Sequence, residues 1–180
     1  MDAKNKSEVR NLTVSAVCLA LCILLPYLTG QIQGLGNALS PMHIPVLLCG
    51  FIAGPVYAAA VGVVAPLLRF VIAGMPPLMP IGVAMCFELA VYGFMTGVLF
   101  NRFPKKIVFI YVSLIVAMLA GRFVWGLLML ILTGFLGNPF TWGMFFSAAF
   151  VNAVPGIILH IVLIPVVVFA LQKARIIRSV

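Results

Sequence analysis

Acidic residues are nearly absent from this chain, which has three of them, Asp2, Glu8 and Glu88, against eleven lysines and arginines. No pair of carboxylates is therefore close in sequence for general acid–base chemistry. The chain also lacks the motifs G-x-x-x-x-G-K-[ST], H-E-x-x-H and G-x-S-x-G, which mark phosphate loops, zinc proteases and serine hydrolases. We therefore expect neither catalysis nor ATP hydrolysis by this chain, and no cofactor.

Long polar stretches are missing as well. Charged residues make up 8% of the sequence and hydrophobic residues 64%, whereas an ordinary soluble domain is about a quarter charged and half apolar. The four cysteines lie inside apolar segments without C-x-x-C or Cys/His ligand spacing, which favours packing roles over a metal site or a disulfide. The composition predicts a single integral membrane domain over residues 1–180.

Six apolar segments are each predicted to form a transmembrane helix. They cover residues 12–28, 42–53, 56–73, 80–100, 107–132 and 142–171. The second segment is short for a bilayer, so either it is a short helix that leaves room for a cavity or the loop before it is partly embedded. The sixth is predicted to break at Pro155-Gly156.

Basic residues indicate how these segments are oriented. Three precede the first segment, three lie between the fourth and fifth, and three follow the sixth, while the other loops have none. Since cytoplasmic loops carry the excess of lysine and arginine, both termini are predicted to be cytoplasmic, and the net charge of +8 does not indicate nucleic-acid binding. The predicted fold class is an all-α membrane protein with six helices in one bundle.

Three charged residues, Arg69, Glu88 and Arg122, lie within apolar segments. A charge at membrane depth costs about 3 kcal/mol on insertion scales, so such a side chain normally faces a partner or a cavity. Counted from the outer ends of their segments, these residues and Asn152 all lie roughly 6 to 15 Å below the outer surface. They are predicted to form one layer.

Other polar and aromatic side chains are predicted to join this layer. Tyr92 and Trp125 share helical faces with the charged residues, His43 lies at the outer end of its segment, and the uncharged loop 30–39 is placed above it. His160 is left out, because its position in segment 142–171 puts it nearer the cytoplasmic face. The predicted substrate-binding residues are Arg69, Glu88, Arg122, Asn152, Trp125, Tyr92, His43, Gln31 and Asn37.

Several interpretations of the charged layer stay open. Arg69, Glu88 and Arg122 would form a structural ion-pair network that leaves one positive charge uncompensated, or they would bind an anionic ligand through the arginines. A self-sufficient small transporter or channel would instead use Glu88 as an ion site. A structural membrane subunit would bind no ligand.

The first segment carries a small-residue pair, Ala16 and Ala20, which would serve either packing within the bundle or docking of a partner helix. This chain resembles the substrate-binding S component of energy-coupling factor (ECF) importers. The features that carry the resemblance are this alanine pair, the long external loop, the run LSPMHIPVLLCGFIAGPVYAAAVG over residues 39–62, and the stretches MPPLMP and FELAVYG. The resemblance covers nearly the whole chain.

The resemblance implies a function and a set of partners. An S component binds a water-soluble vitamin with high affinity in its outer half, docks through its first helix on a transmembrane coupling subunit driven by two ATPase subunits, and topples in the lipid membrane. Ala16 and Ala20 would then be docking residues, and residues 30–39 and 74–79 lids. Two arginines against one glutamate favour an acidic vitamin such as pantothenate, with vitamin B6, riboflavin and folate still open.

Overall fold

The structure, a computed structural model, describes residues 3–28, 40–104, 106–135, 137, 141–147, 151, 153–174 and 177. These residues form helices, and no strand occurs among them. The helices are α1 (Ala3–Leu28), α2 (His43–Ala53), α3 (Pro55–Ala73), α4 (Val83–Arg102), α5 (Ile107–Phe135), α6 (Trp142–Phe146) and α7 (Val154–Lys173). A π-helical turn, Leu78–Gly82, leads directly into α4.

Five helices are long and apolar enough to cross a membrane, namely α1, α3, α4 with its preceding turn, α5 and α7. The protein is therefore a multi-pass membrane protein. At roughly 1.5 Å per residue, α2 is about 16 Å long, which is half of a hydrocarbon core of about 30 Å. The predicted count of six spans and the predicted cytoplasmic termini stay predictions.

Two helix bounds differ by more than three residues from those expected from hydropathy. α1 begins at Ala3, because the polar residues before residue 12 continue the helix instead of ending it. The segment predicted over residues 142–171 contains two helices, α6 and α7, and the long one starts at Val154 with Pro155 in its first turn. Proline suits that position because its missing N–H would have no helical partner there. The break therefore lies before Pro155 and not at Pro155-Gly156.

α4 is the central helix of the bundle. Half of its membrane window is buried, against 22% to 33% for α1, α3, α5 and α7. Glycines allow this packing: a Cβ on Gly62 of α3 would lie 2.5 Å from the Leu89 carbonyl of α4, and one on Gly93 of α4 would lie 2.7 Å from the Ala58 backbone. Close backbone approach at small residues holds membrane helices together. With α4 packed in this way, the face of α4 that carries Glu88 points into the bundle.

α1 packs on α2 through one face and leaves the other uncovered. On the packed face, the Ser15 hydroxyl lies 3.6 Å from the Cys49 thiol, and Cys18 and Cys22 are buried free thiols. Ala16 and Ala20, on the other side of the helix, are both exposed. The small-residue pair is thus not used for packing among the described residues.

Candidate functional site

Glu88 and Tyr92 are buried together on the inner face of α4. They are one helical turn apart, so their side chains share a face, and each is 1% exposed. The Tyr92 hydroxyl interacts with the Glu88 carboxylate. A buried carboxylate in a membrane protein requires compensation by a neighbouring positive charge or hydrogen-bond donors.

Arg122 of α5 supplies that charge. Its Nη1 atom lies 3.1 Å from Glu88 Oε1. The preceding residue, Gly121, makes this approach feasible, because a Cβ there would overlap the Tyr92 ring and lie 3.0 Å from the Glu88 carbonyl oxygen. α4 and α5 therefore come into close contact at the level where the ion pair forms.

His43 reaches the same carboxylate from α2. Its Nε2 atom lies 3.7 Å from Glu88 Oε1, and its ring packs edge-to-face on Tyr92 with 5.3 Å between centroids. His43 is the first residue of α2. Because α2 is only half the length of a spanning helix, its first residue lies in the bundle interior.

His160 of α7 also belongs to this group, which the sequence analysis did not predict. Its ring stacks on His43 at 6.0 Å between centroids, and the side chain is 2% exposed. The expectation that His160 lies near the cytoplasmic face was wrong, because it assumed one helix over residues 142–171. Counted from Val154, His160 is about 9 Å along the helix. Pro155 was the feature of the sequence that could have indicated this position, because proline is common in the first turn of a helix.

We call the group of His43, Glu88, Tyr92, Arg122 and His160 the polar cluster. Counted along α4, α5 and α7 from the ends that adjoin basic residues, Glu88, Arg122 and His160 lie about 20 Å into their helices and Tyr92 about 15 Å. The prediction that charged residues on separate segments share one layer therefore agrees with the positions of Glu88 and Arg122.

Many polar atoms of the cluster have no hydrogen-bond partner among the described residues. By hydrogen-bond geometry these are both ring nitrogens of His43 and of His160, Oε1 of Glu88 and Nε of Arg122. His43 Nε2 faces Glu88 Oε1 at 3.7 Å, and the His160 ring interacts with the Ser40 backbone, so these contacts are loose and not absent. Buried polar atoms in native structures are nearly always hydrogen-bonded, and each one left unpaired costs about 1 to 3 kcal/mol. The cluster thus has donors and acceptors that a polar ligand would satisfy.

Arg69 lies apart from the cluster. The side chain is half-buried on α3, near the Tyr27 phenol at the end of α1. Within the described part of the chain, its Nε has no hydrogen-bond partner and no carboxylate lies within ion-pair distance of it. The structure therefore pairs Glu88 with Arg122 and does not join Arg69 into a network with them.

Trp125 forms an apolar wall one turn beyond Arg122. It is 9% exposed and packs in a small cluster with Ala84, Met129 and Phe145. The other predicted site residues, Gln31, Asn37 and Asn152, and the whole of the proposed lid 30–39 lie outside the described residues. Among the residues that are described, no group of three or more His, Cys, Asp or Glu side chains is arranged to hold a metal ion.

Residues 10–171 match the family model described as "ECF transporter, substrate-specific component". The chain belongs to this family. The resemblance to S components is thereby confirmed. No curated protein and no solved structure matches the chain. ECF S components are substrate-binding transport subunits and not enzymes, and membership implies partnership with ECF transmembrane and ATPase subunits.

Proposed function

We propose that this S component binds a water-soluble, anionic vitamin, with pantothenate favoured, at the polar cluster. The observation that carries the proposal is the set of unpaired polar atoms on His43, Glu88, Arg122 and His160 in a buried layer. Ligand pockets in proteins combine apolar walls with a few convergent polar groups. In the proposed site, the buried rings of Trp125 and Tyr92 would form the apolar walls.

The two imidazoles suit the neutral polar groups of a vitamin. A neutral imidazole donates through one nitrogen and accepts through the other, so His43 and His160 together offer both kinds of hydrogen bond. Hydroxyl and amide groups of pantothenate need both. Glu88 and Arg122 already neutralise each other, so they contribute hydrogen bonds and orientation more than net charge.

Arg69 lies outside the polar cluster, and it supports an acidic ligand as the partner of a carboxylate that extends beyond the cluster. It is a half-buried guanidinium without a described counter-ion, and a ligand carboxylate would compensate it through bidentate hydrogen bonds. By contrast, the ion pair argues against the alternative of a self-sufficient channel with Glu88 as its ion site. A cation there would have to displace Arg122 at 3.1 Å.

The decisive experiment is to purify the chain, release any bound small molecule and identify it by mass spectrometry. Calorimetry on the emptied protein then ranks pantothenate, pyridoxine, riboflavin and folate. We expect pantothenate to bind most tightly and Arg69→Gln to weaken it about tenfold or more, since a hydrogen bond to a charged group contributes about 1.5 to 3 kcal/mol.

A matched control is Arg102→Gln, which removes an exposed arginine at the end of α4 and should leave affinity unchanged. Pantothenol, which carries a hydroxyl in place of the carboxylate, should bind native protein and Arg69→Gln about equally. If the folded chain retains no small molecule and binds none of the four vitamins, the proposed function is wrong. If it binds a neutral vitamin best, only the assignment of pantothenate is wrong.

Docking on the coupling subunit is proposed to use the exposed face of α1. Ala16 and Ala20 leave a shallow groove on this face, where a partner helix can approach closely. Larger apolar side chains above and below them, such as Leu12 at 64% and Leu24 at 55% exposed, frame the groove.

A further inference from the structure

A cavity lies at the other end of the bundle from the polar cluster. Its volume is about 850 Å³, and it is an open cavity lined by the start of α1, the end of α2, the end of α4 and Ile177. The polar cluster includes the first residue of α2, whereas this cavity adjoins Phe51 and Ala53 at the last turn of the same helix. We call it the basal cavity. It takes no part in the proposed vitamin site.

The basal cavity carries positive charge that has no counter-ion among the described residues. Lys6 and Arg10 are one turn apart on α1 and both line it. Glu8, between them in sequence, lies about 200° around the helix from each and does not line it. The other described acid, Glu88, belongs to the polar cluster. Neither Lys6 nor Arg10 forms an ion pair with a described residue.

The lining also has hydrogen-bonding and apolar parts. The amides of Asn11 and Asn101 lie beside the cations, and Arg10 Nη2 is 3.4 Å from Asn11 Oδ1. Below them the Phe51 and Phe100 rings pack edge-to-face at 5.0 Å and are 3% exposed. One side of the cavity thus suits an anion and the other suits hydrocarbon.

The position of the cavity selects between a soluble and a lipid anion. It lies at helix ends, where a bilayer presents its headgroups, and on the side that the distribution of basic residues predicts to be cytoplasmic. Anionic lipids concentrate on that surface, and basic pockets between helices bind their headgroups. A free anion would make no use of the apolar floor.

We propose that the basal cavity is a binding site for the phosphate headgroup of an anionic phospholipid. Lys6 and Arg10 contact the phosphate, the two asparagine amides contact the glycerol oxygens, and the first methylenes of the acyl chains lie over Phe51. The site is independent of the vitamin site and is built from residues at the opposite ends of α2 and α4.

The test is native mass spectrometry on delipidated full-length protein in detergent. The protein is titrated with phosphatidylglycerol or phosphatidylcholine of identical acyl chains. We expect phosphatidylglycerol to bind about tenfold more tightly, and the Lys6→Gln, Arg10→Gln double variant to remove this preference. The matched control is Arg102→Gln, Lys173→Gln, which removes as much charge from exposed helix ends outside the cavity and should keep the preference.

Three results would overturn the proposal. If native protein binds both lipids equally, it has no site that selects an anionic lipid. If the control double variant loses the preference as fully as the Lys6→Gln, Arg10→Gln variant, the preference reflects only diffuse attraction to positive charge. Displacement of phosphatidylglycerol by millimolar inorganic phosphate, with no effect of acyl-chain length, indicates a site for a free anion. Size-exclusion profiles and vitamin affinity report on folding, and both should be unchanged in the double variants.

Discussion

Glu88 is the one acidic residue within the apolar segments of the sequence, and its surroundings determine what the residues near it can do. With Arg122 at 3.1 Å and His43 Nε2 at 3.7 Å, its charge is compensated, while His43 Nδ1 has no hydrogen-bond partner among the described residues. A buried ion pair adds little net stability over apolar residues, but a single unpaired charge is strongly destabilising. Removing one charge or both therefore has different effects on stability, and comparing these effects with those on ligand binding distinguishes a binding role of the pair from a structural one.

A double-mutant cycle on Glu88 and Arg122 uses that asymmetry. Arg122→Met should lower stability by about 3 to 5 kcal/mol, because it leaves Glu88 buried without its counter-ion. Adding Glu88→Gln should recover most of the loss. Unfolding of the two single variants and the double variant in detergent, with and without ligand, measures this. If Arg122→Met alone is as stable as native protein, Glu88 is not held as an anion by Arg122.

His160 allows a prediction that separates binding from stability. His160→Phe preserves a flat ring against His43 and removes two nitrogens that have no well-formed hydrogen bond, so unfolding should be little affected. Vitamin affinity should fall about three- to tenfold, the value of one hydrogen bond. Calorimetry measures it, with Phe169→Leu, an exposed position on the same helix, as control. Unchanged affinity would place His160 outside the binding site.

At the scale of helices, hydropathy predicted the long elements but not the interruptions. Mean apolarity identifies α3, α4 and α5 because each is a continuous apolar helix. It cannot place the start of α7, because residues 142–153 are as apolar as a helix, and the start depends on Pro155 at a helix N-terminus. Because the start of this helix was predicted too early in the sequence, the depth of His160 was predicted wrongly. The depth of Glu88 and Arg122 was predictable, since both lie in uninterrupted helices.

Glycine contacts between α3 and α4 give a prediction at the same scale. Gly62→Ala would place a methyl group 2.5 Å from the Leu89 carbonyl, where the backbone cannot yield. Overpacking of this kind costs about 1 to 3 kcal/mol. Gly134→Ala in α5, where an added Cβ meets nothing within 4 Å, should be neutral or slightly stabilising. Thermal unfolding of both variants tests this prediction. Equal stability of the two variants would show that α3 and α4 are not in close contact.

For the whole molecule, vitamin binding and docking are predicted to be separable, because the polar cluster faces the bundle interior while Ala16 and Ala20 face outward. The Ala16→Leu, Ala20→Leu double variant fills the groove on α1 without reaching α4 or α5. We expect unchanged vitamin affinity and loss of most co-purification with the ECF transmembrane and ATPase subunits, since a helix cannot approach closely over two leucines.

The control for this variant places the same side chain on a different exposed helix face, as Val162→Leu and Val166→Leu on α7, both about 60% exposed. These changes should leave co-purification intact. If both double variants release the partner subunits equally, added bulk anywhere in the membrane disturbs the complex and the α1 groove has no special role. If neither does, α1 docks through its larger apolar side chains, and the small pair that the sequence suggested as a docking motif only faces lipid.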